Sequence, residues 1–156
     1  MIFTDHVGNK VILEIKDKAD IPTSKHVLII TNFKGNMLLT HNKIRGIEFP
    51  GGKVEYDETP IEAMHRELYE ETGGVVRNYE FIGTYTVYDQ SPFSKDVFYV
   101  EVAQIDKRED YLETDGPVIA KALDDIQTED KSFLLKDDCI LYLLDTLKER
   151  FDVHHE

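Results

Sequence analysis

Residues 51–74 of the chain read GGKVEYDETPIEAMHRELYEETGG. Thr59 is a favourable N-cap residue, and Pro60 suits the first helical position because its missing N–H needs no partner there. Glu62 completes a capping box with Thr59, and Gly73 supplies the left-handed residue that ends many helices. These signals predict a helix that begins at Thr59 and ends at the residue before Gly73.

The predicted helix has two distinct faces when its side chains are projected at about 100° per residue. Glu67, Glu70 and Glu71 share one face at i, i+3 and i+4, where like charges repel by about 0.2–0.5 kcal/mol per pair. No lysine separates them, so this face is either simply solvated or holds a cation. An adjoining stripe, suited to a core, is formed by Ile61, Met64, Leu68 and Thr72.

Neighbouring residues favour the cation over the solvated face. Mg²⁺ prefers carboxylate oxygens and commonly shares its other positions with substrate phosphates. Glu58 lies just before the N-cap and can pair with Arg66, which would brace the glutamates. Gly51 and Gly52 let the backbone approach a ligand closely and leave a carbonyl free to bind metal.

The spacing of this segment resembles the Nudix box of the Nudix hydrolases. The resemblance is carried by Gly52, five residues, Glu58, seven residues, and then residues 66–73, RELYEETG. The pattern departs at Gly74, where the family has a bulky aliphatic residue. We expect Val75 to take over that packing role.

The resemblance implies an α/β fold, a mixed β-sheet sandwiched between helices (α/β/α). It also implies hydrolysis of a nucleoside diphosphate linked to another moiety, with Mg²⁺ as cofactor and Mn²⁺ as a substitute. Either Glu67 or Glu70 would deprotonate the attacking water, while Glu58 and Arg66 would support the site structurally. By position in the box, the metal ligands are the Gly51 carbonyl, Glu67, Glu70 and Glu71.

Residues outside the box supply further candidates. Other family members take an extra acidic ligand from a distant loop, and Glu113 and Asp115 are the candidates for it. The alternative is that they are two ordinary acids of a charged loop. Arg45 and Lys53 flank the glycine loop and are candidates for phosphate contact, with an ordinary surface lysine as the alternative for Lys53.

Aromatic side chains offer stacking surfaces for a nucleotide base. Phe49, Tyr88 and Phe93 are the candidates, and core packing is the stronger expectation for any one of them.

Apolar periodicity predicts the remaining elements of the fold. A second helix is expected over residues 132–151, because its apolar residues recur at helical spacing on one face. His154 and His155 after it are expected to form a frayed tail, since a histidine pair without a third ligand is weak support for a metal site. Strands are predicted at 9–15, 26–33, 37–40, 44–49, 78–88, 96–102 and 117–123, with loops at 17–24, 89–95 and 106–116.

Composition limits the class of protein. At 156 residues the chain can bury one core, so residues 1–156 are expected to form a single Nudix hydrolase domain. The only cysteine, Cys139, cannot form an intramolecular disulfide, which predicts a buried thiol and a reducing compartment. No apolar run approaches the ~20 residues of a membrane span, and the N-terminus lacks a secretory signal, so a cytoplasmic location without membrane attachment is expected.

The net charge and short sequence matches outside the box narrow the range of possible substrates. The net charge of −13 argues against binding long nucleic acids, but it allows a small nucleotide or one RNA 5′ end. Residues 25–27, 45–55 and 113–118 are similar to a MutT-like branch that releases pyrophosphate from 8-oxo-dGTP. That branch is also associated with the 5′ end of RNA. Other open possibilities are ADP-ribose, a dinucleoside polyphosphate, and a non-catalytic binding module, which would be expected to lose box glutamates.

Overall fold

A single mixed sheet forms the centre of the molecule. The computed structural model describes residues 1–17 and 19–152, so the expectation for His154 and His155 lies outside the described residues. The helices are α1 (Pro60–Thr72) and α2 (Asp138–Asp152). The nine strands of the described residues are β1 (Ile2–Thr4), β2 (Lys10–Ile15), β3 (His26–Phe33), β4 (Asn36–Asn42), β5 (Gly46–Glu48), β6 (Gly51–Lys53), β7 (Gly74–Tyr88), β8 (Phe93–Ile105) and β9 (Thr114–Ala120).

The strand order brings the start of β3 to the glycine loop. The main order is β1-β2-β7-β8-β3-β4-β5, and β9 pairs with β4. β3 and β8 run parallel, with His26 opposite Lys95. The other edge of β3 is shared, because its start pairs with β6 from His26 to Leu28 and its end pairs with β4. The β3–β4 hairpin turns at Lys34 and Gly35, both with positive φ, as a two-residue hairpin requires.

Each helix covers one face of the sheet, which confirms the α/β/α sandwich. On one face, Ala63, Met64 and Leu68 of α1 are buried in an apolar cluster with β3 and β8. A second cluster on the other face buries the apolar side of α2, formed by Cys139, Ile140, Leu143 and Leu147. Within the described residues, neither helix combines the length and the apolar character needed to cross a membrane.

Both predicted ends of α1 are confirmed. The Thr59 hydroxyl accepts a hydrogen bond from the Glu62 N–H at 3.1 Å, and the Glu62 carboxylate accepts one from the Thr59 N–H at 2.9 Å. Gly73 has a φ of 78°, and a Cβ at this position would overlap the Asp106 carbonyl. Glycine is therefore required here both by the backbone conformation and by the close approach of Asp106.

Contacts from distant strands hold the last turn of α1. Thr40 of β4 and Thr114 of β9 both donate hydrogen bonds to the Glu71 carbonyl, at 3.0 and 3.2 Å. Arg108 donates to the Glu70 carbonyl at 3.0 Å, which places positive charge at a helix end that has no basic residue of its own. The turn that carries two of the glutamates is thus anchored to the sheet.

The second helix begins later than predicted. Phe133–Leu135 form a short 3₁₀ turn, and the Ser132 hydroxyl accepts a hydrogen bond from the Leu134 N–H at 3.1 Å. α2 begins only at Asp138. The predicted start was wrong because Leu135 is buried in the same cluster as α2, so the apolar period continues through residues that are not part of the helix.

Several strand boundaries also differ from prediction. β7 begins at Gly74, before its predicted start at residue 78, and β8 begins at Phe93, within the predicted loop 89–95. β1 and β6 were not predicted, because three-residue strands are too short to show a period.

Two predictions about single positions have clear outcomes. Cys139 is a buried free thiol, as expected. At Gly74 a Cβ would meet Leu68 Cδ1 at 3.1 Å. The residue that packs against the apolar cluster beneath α1 is Val76, so the packing role expected for Val75 passes to its neighbour.

Candidate active site

Arg66 organises the acidic face of α1. Its Nε donates to Glu58 Oε2 at 2.7 Å, and its Nη2 donates to Glu58 Oε1 at 2.9 Å, which is a two-point pairing. Nη2 also donates to the Lys53 carbonyl at 3.0 Å. The paired guanidinium lowers the pKa of Glu58, so this carboxylate stays charged. Arg66 thus links the helix to the segment that precedes it, as predicted for these two residues.

The same guanidinium bridges two of the candidate metal ligands. Arg66 Nη1 donates to Glu67 Oε1 at 2.6 Å and to Glu70 Oε1 at 3.2 Å. The Glu67 side chain is 15% exposed and the Glu70 side chain 26% exposed. Glu70 is therefore the freer of the two carboxylates.

Glu71 lies deeper than the other glutamates. Its Oε1 accepts a hydrogen bond from the Gly51 N–H at 3.3 Å, and the Glu67 carboxylate is within hydrogen-bonding reach of it. Burial and the nearby charge of Glu67 raise the pKa of Glu71. A charged carboxylate at this position needs a compensating cation.

The glycine pair faces these carboxylates. The Val54 N–H donates a hydrogen bond to the Lys25 carbonyl, and the Ile29 N–H donates one to the Pro50 carbonyl. Because hydrogen-bonded pairs alternate along an antiparallel ladder, Gly52 and Val27 form the hydrogen-bonded pair between them. Gly51 falls between those bonded pairs, so its N–H and C=O point away from β3, and its N–H donates to Glu71. A Cβ on Gly52 would overlap the Glu67 carboxylate. The Gly52 backbone therefore forms a cradle for that side chain.

The donor set fits a hard divalent cation. Three carboxylates and a backbone carbonyl supply only oxygen, which suits Mg²⁺. Among residues 1–17 and 19–152, no three acidic, histidine or cysteine side chains already converge as a metal site. Arg66 accounts for this, because it draws Glu67 and Glu70 towards itself.

A cavity of about 390 Å³ adjoins the acidic cluster. Gly51 and Gly52 form part of its wall, and Glu67 and Glu71 lie against the same two glycines. The polar and aromatic lining also includes Asp5, His6, His26, Arg45, Glu48, Phe49, Tyr85, Phe93, Lys95, Phe133 and Asp137. One wall therefore joins the candidate metal ligands to a space large enough for part of a nucleotide.

The three residues predicted to contact substrate lie in different environments. Arg45 lines the cavity and pairs with Glu48 through bonds of 2.9 and 2.8 Å, so its guanidinium is already engaged. Phe49 lines the cavity but is buried in the core, in line with the packing alternative. Lys53 is exposed beside the glycines, and its carbonyl is held by Arg66.

The loop acids lie apart from the acidic cluster. Glu113 is exposed, and its carbonyl accepts a hydrogen bond from the Lys43 N–H at 3.3 Å. Asp115 is exposed beside His41, with 3.7 Å between Oδ2 and Nδ1. The described links to the site are the charge of Glu113 acting on Arg45 and the hydrogen bond from the intervening Thr114 to the Glu71 carbonyl. Neither acid joins the three glutamates in this structure.

Sequence analysis identified Arg45 but missed the other charged residues of the cavity. Glu48 is only 5% exposed, although it carries a charge within a short strand. Lys95 and Asp137 come from β8 and from the residue before α2, and Tyr85 of β7 donates to Asp137 at 3.1 Å. The one available signal was Glu48, a charged residue between Ile47 and Phe49. Lys95 lies between Ser94 and Asp96, and nothing in the spacing links these positions.

The family follows from comparison with known proteins. The NUDIX domain family matches residues 23–132, which include the box, the glycine loop and most of the sheet. The chain therefore belongs to the Nudix family and is a Nudix hydrolase. Nudix hydrolases act on nucleotide substrates and generally use divalent metals such as Mg²⁺.

Individual relatives match nearly the whole chain. It is 38% identical to Bacillus subtilis YtkD over 150 residues, which cover 94% of this chain and 95% of YtkD. YtkD is provisionally named as an 8-oxo-dGTP diphosphatase. A mutant of the Bacillus subtilis pyrophosphohydrolase BsRppH superposes with a TM-score of 0.88 at 36% identity, covering 96% of this chain and 97% of that one. A NUDIX hydrolase from Nitrosomonas europaea shares the fold, with a TM-score of 0.64 at 19% identity over 80% of this chain and 90% of that one.

Proposed function

We propose that this chain is a Mg²⁺-dependent pyrophosphohydrolase that converts a nucleoside triphosphate of the 8-oxo-dGTP type to the monophosphate and pyrophosphate. The role would be to clear damaged nucleotides from the cytoplasmic pool. The likeness to YtkD over nearly the full length of both chains supports this substrate. The proposal takes residues 1–156 as one catalytic domain, since β1 and β9 belong to the same sheet.

The wall shared by the acidic cluster and the cavity is the observation that carries the proposal. Glu67, Glu70, Glu71 and the Gly51 carbonyl would hold the metal, which supplies charge neutralisation for the phosphates and a polarised water. On the cavity side of the same glycines there is room for the nucleoside. Phosphates that bridge the two would lie along Gly51 and Gly52, where a backbone without Cβ atoms allows close approach.

Each residue of the cluster has a distinct task in this proposal. Glu70 is the base we favour, because its carboxylate is more exposed than that of Glu67 and is held by Arg66 at a longer distance. Arg66 and Glu58 keep the helix in register with the glycine loop. Lys53, which is exposed beside Gly52, would contact the leaving phosphates. Glu113 would join as a further ligand only if its loop moved towards the cluster.

The first experiment is product analysis with Mg²⁺ on 8-oxo-dGTP, dGTP, ADP-ribose, a dinucleoside tetraphosphate and 5′-triphosphorylated RNA. The expected result is pyrophosphate and a monophosphate from 8-oxo-dGTP, formed well above the rate with dGTP. Glu70→Gln keeps the shape and removes the charge, so turnover should fall by about 10²–10⁴-fold with folding intact.

The matched control is Glu149→Gln, the same substitution on an exposed residue of α2. Its turnover should equal that of the wild type. Full activity in the folded Glu70→Gln variant would refute the assignment of the acidic cluster. If the wild type bound metal but hydrolysed none of these substrates, the chain would be a binding module and not an enzyme.

A second candidate is removal of pyrophosphate from the 5′ end of RNA. An open groove of about 670 Å³ adjoins the cavity, and His26 and Phe93 line both. Along it, Lys25 offers an ammonium group and Tyr88 an aromatic face, which suit a short single strand. A dominant signal from the triphosphorylated RNA in the same panel would select this candidate.

A further inference from the structure

Lys95 is a charged residue of the cavity for which the proposed chemistry has no task. Its ammonium nitrogen lies 5.4 Å from the centre of the Tyr85 ring, inside the space lined by Glu48, Arg45 and Asp137. Among the described residues no ion pair or hydrogen bond holds this nitrogen. A largely buried ammonium with three N–H donors and only a ring beneath it is available to a ligand.

The charges around Lys95 favour a neutral ligand group over a phosphate. Glu48 is neutralised by Arg45 through two short bonds. The charge of Lys95 is then opposed by Asp137, and Asp5 and Asp89 also line the cavity, so the cavity has no excess of positive charge to hold a phosphate. A phosphate placed here would lie beside two carboxylates, whereas a carbonyl oxygen would gain a charge-assisted hydrogen bond without that repulsion.

Asp137 provides the complementary acceptor. The Tyr85 hydroxyl donates to its Oδ2 at 3.1 Å and the Ile140 N–H to the same oxygen at 3.2 Å. Both donors fix the carboxylate in place, and among the described residues none occupies Oδ1. The same cavity thus presents a donor from Lys95 and an acceptor from Asp137.

A planar ring fits between these groups. Tyr85, Phe93 and Phe133 line the cavity, and the Phe133 ring stacks on His6 with centroids 3.9 Å apart. Aromatic walls with a few convergent polar groups are typical of base-binding sites.

We propose that Lys95 and Asp137 select a 6-oxopurine, with Lys95 donating to the 6-carbonyl oxygen and Asp137 Oδ1 accepting the adjacent ring N–H. This inference rests on the proposed function and names the residues that select the base in that site. Adenine presents the opposite pattern, an amino donor at position 6 and an unprotonated ring nitrogen beside it. Both partners would then be mismatched, and a site built to hydrogen-bond one group rejects an analogue that lacks it.

The test compares inosine and adenosine 5′-monophosphates, which differ only at the 6-position and the adjacent ring nitrogen. Binding is measured by calorimetry, without turnover, for the wild type and Lys95→Met, which keeps the length of the side chain and removes the charge. The wild type should bind the inosine nucleotide about tenfold to hundredfold more tightly. In Lys95→Met the preference should fall to about threefold or less.

Lys148→Met is the control, because Lys148 is exposed on α2 and lines a different depression. It should keep the wild-type preference. Should Lys95→Met fail to fold, 1-methylinosine monophosphate tests the wild type instead, since its methyl group removes the N–H that Asp137 would accept, and it should bind no better than the adenosine nucleotide.

Equal losses for both nucleotides in Lys95→Met would overturn the inference, because a phosphate contact or a structural role does not distinguish the bases. Uridine monophosphate binding as tightly as the inosine nucleotide would overturn the purine assignment. A clear preference for the inosine nucleotide, without hydrolysis of any substrate in the panel, would refute the proposed function but not this inference. Turnover without any base preference would refute this inference alone.

Discussion

The two faces of the sheet differ in how far their acidic side chains are matched by basic ones. On the α1 face, Glu58, Glu67 and Glu70 surround one cation, Arg66, and Glu71 is buried beside them. In the cavity on the α2 face, Arg45 offsets Glu48 and Lys95 offsets Asp137, and Asp5 and Asp89 add negative charge to the lining. The α1 face therefore lacks positive charge and suits a metal ion, whereas the cavity suits a neutral ring. The glycine pair is the wall between them.

Among the variants that test this comparison, Gly52→Ala should give the largest effect, because it acts on that wall. The new Cβ would overlap the Glu67 carboxylate, which is the far end of a flexible side chain and can move away. We expect the free energy of unfolding to change by less than about 1 kcal/mol. Turnover should fall by about 10²-fold, because a ligand displaced by about 1 Å spoils the geometry of the reaction. Steady-state kinetics and thermal unfolding measure the two effects.

Gly51→Ala is the informative contrast for that variant. Its Cβ would overlap the Val27 carbonyl, which is backbone and cannot move aside, so this variant should lose stability before it loses activity. If Gly52→Ala unfolded as readily as Gly51→Ala, the glycine pair would be a packing feature and the cradle for Glu67 would be disproved.

Glu71→Gln should give an intermediate effect that depends on metal and pH. The pKa of Glu71 is raised above the ordinary value of 4.5 by burial and by Glu67. A group whose folded pKa exceeds its unfolded pKa stabilises the fold fully at low pH, and that stabilisation is lost as the pH rises. Glutamine does not ionise and can still accept from the Gly51 N–H. The metal-free variant should therefore exceed the wild type in unfolding free energy by about 1–3 kcal/mol near pH 8.

Urea unfolding in a chelator, repeated with Mg²⁺, measures this difference. The difference in unfolding free energy between variant and wild type should shrink as the pH falls towards about 4.5, where the carboxyl of the unfolded chain also takes up its proton. Added Mg²⁺ should stabilise the wild type and have less effect on the variant, because one ligand has lost its charge. A variant less stable than the wild type at every pH would contradict the assignment of Glu71 as a buried, uncompensated carboxylate.

The difference between the faces also explains what sequence analysis predicted. The α1 site comes from one continuous stretch, so helical spacing alone brings Glu67, Glu70 and Glu71 together and capping signals mark both ends. The cavity collects residues from the N-terminal loop, from β3, β7 and β8, and from the turn before α2. Lys95 and Asp137 share this cavity because the sheet register sets Lys95 opposite Tyr85 and because α2 begins later than predicted, and neither was available from local spacing.

The N-caps of the two helices provide the smallest and most local test of this comparison. Thr59→Ala removes a cap that is exposed and contacts only its own helix, so the free energy of unfolding should fall by about 1 kcal/mol. Turnover and nucleotide binding should match the wild type, since Thr59 lies at the end of α1 remote from Glu70. Asp137→Ala removes the cap of α2 together with the acceptor for Tyr85, so it should lower stability further and weaken inosine monophosphate binding. Thermal unfolding measures the stability of both variants, and calorimetry measures their nucleotide binding. If the two substitutions lower stability equally and neither alters binding, Asp137 is an ordinary helix cap and does not accept a hydrogen bond from the base.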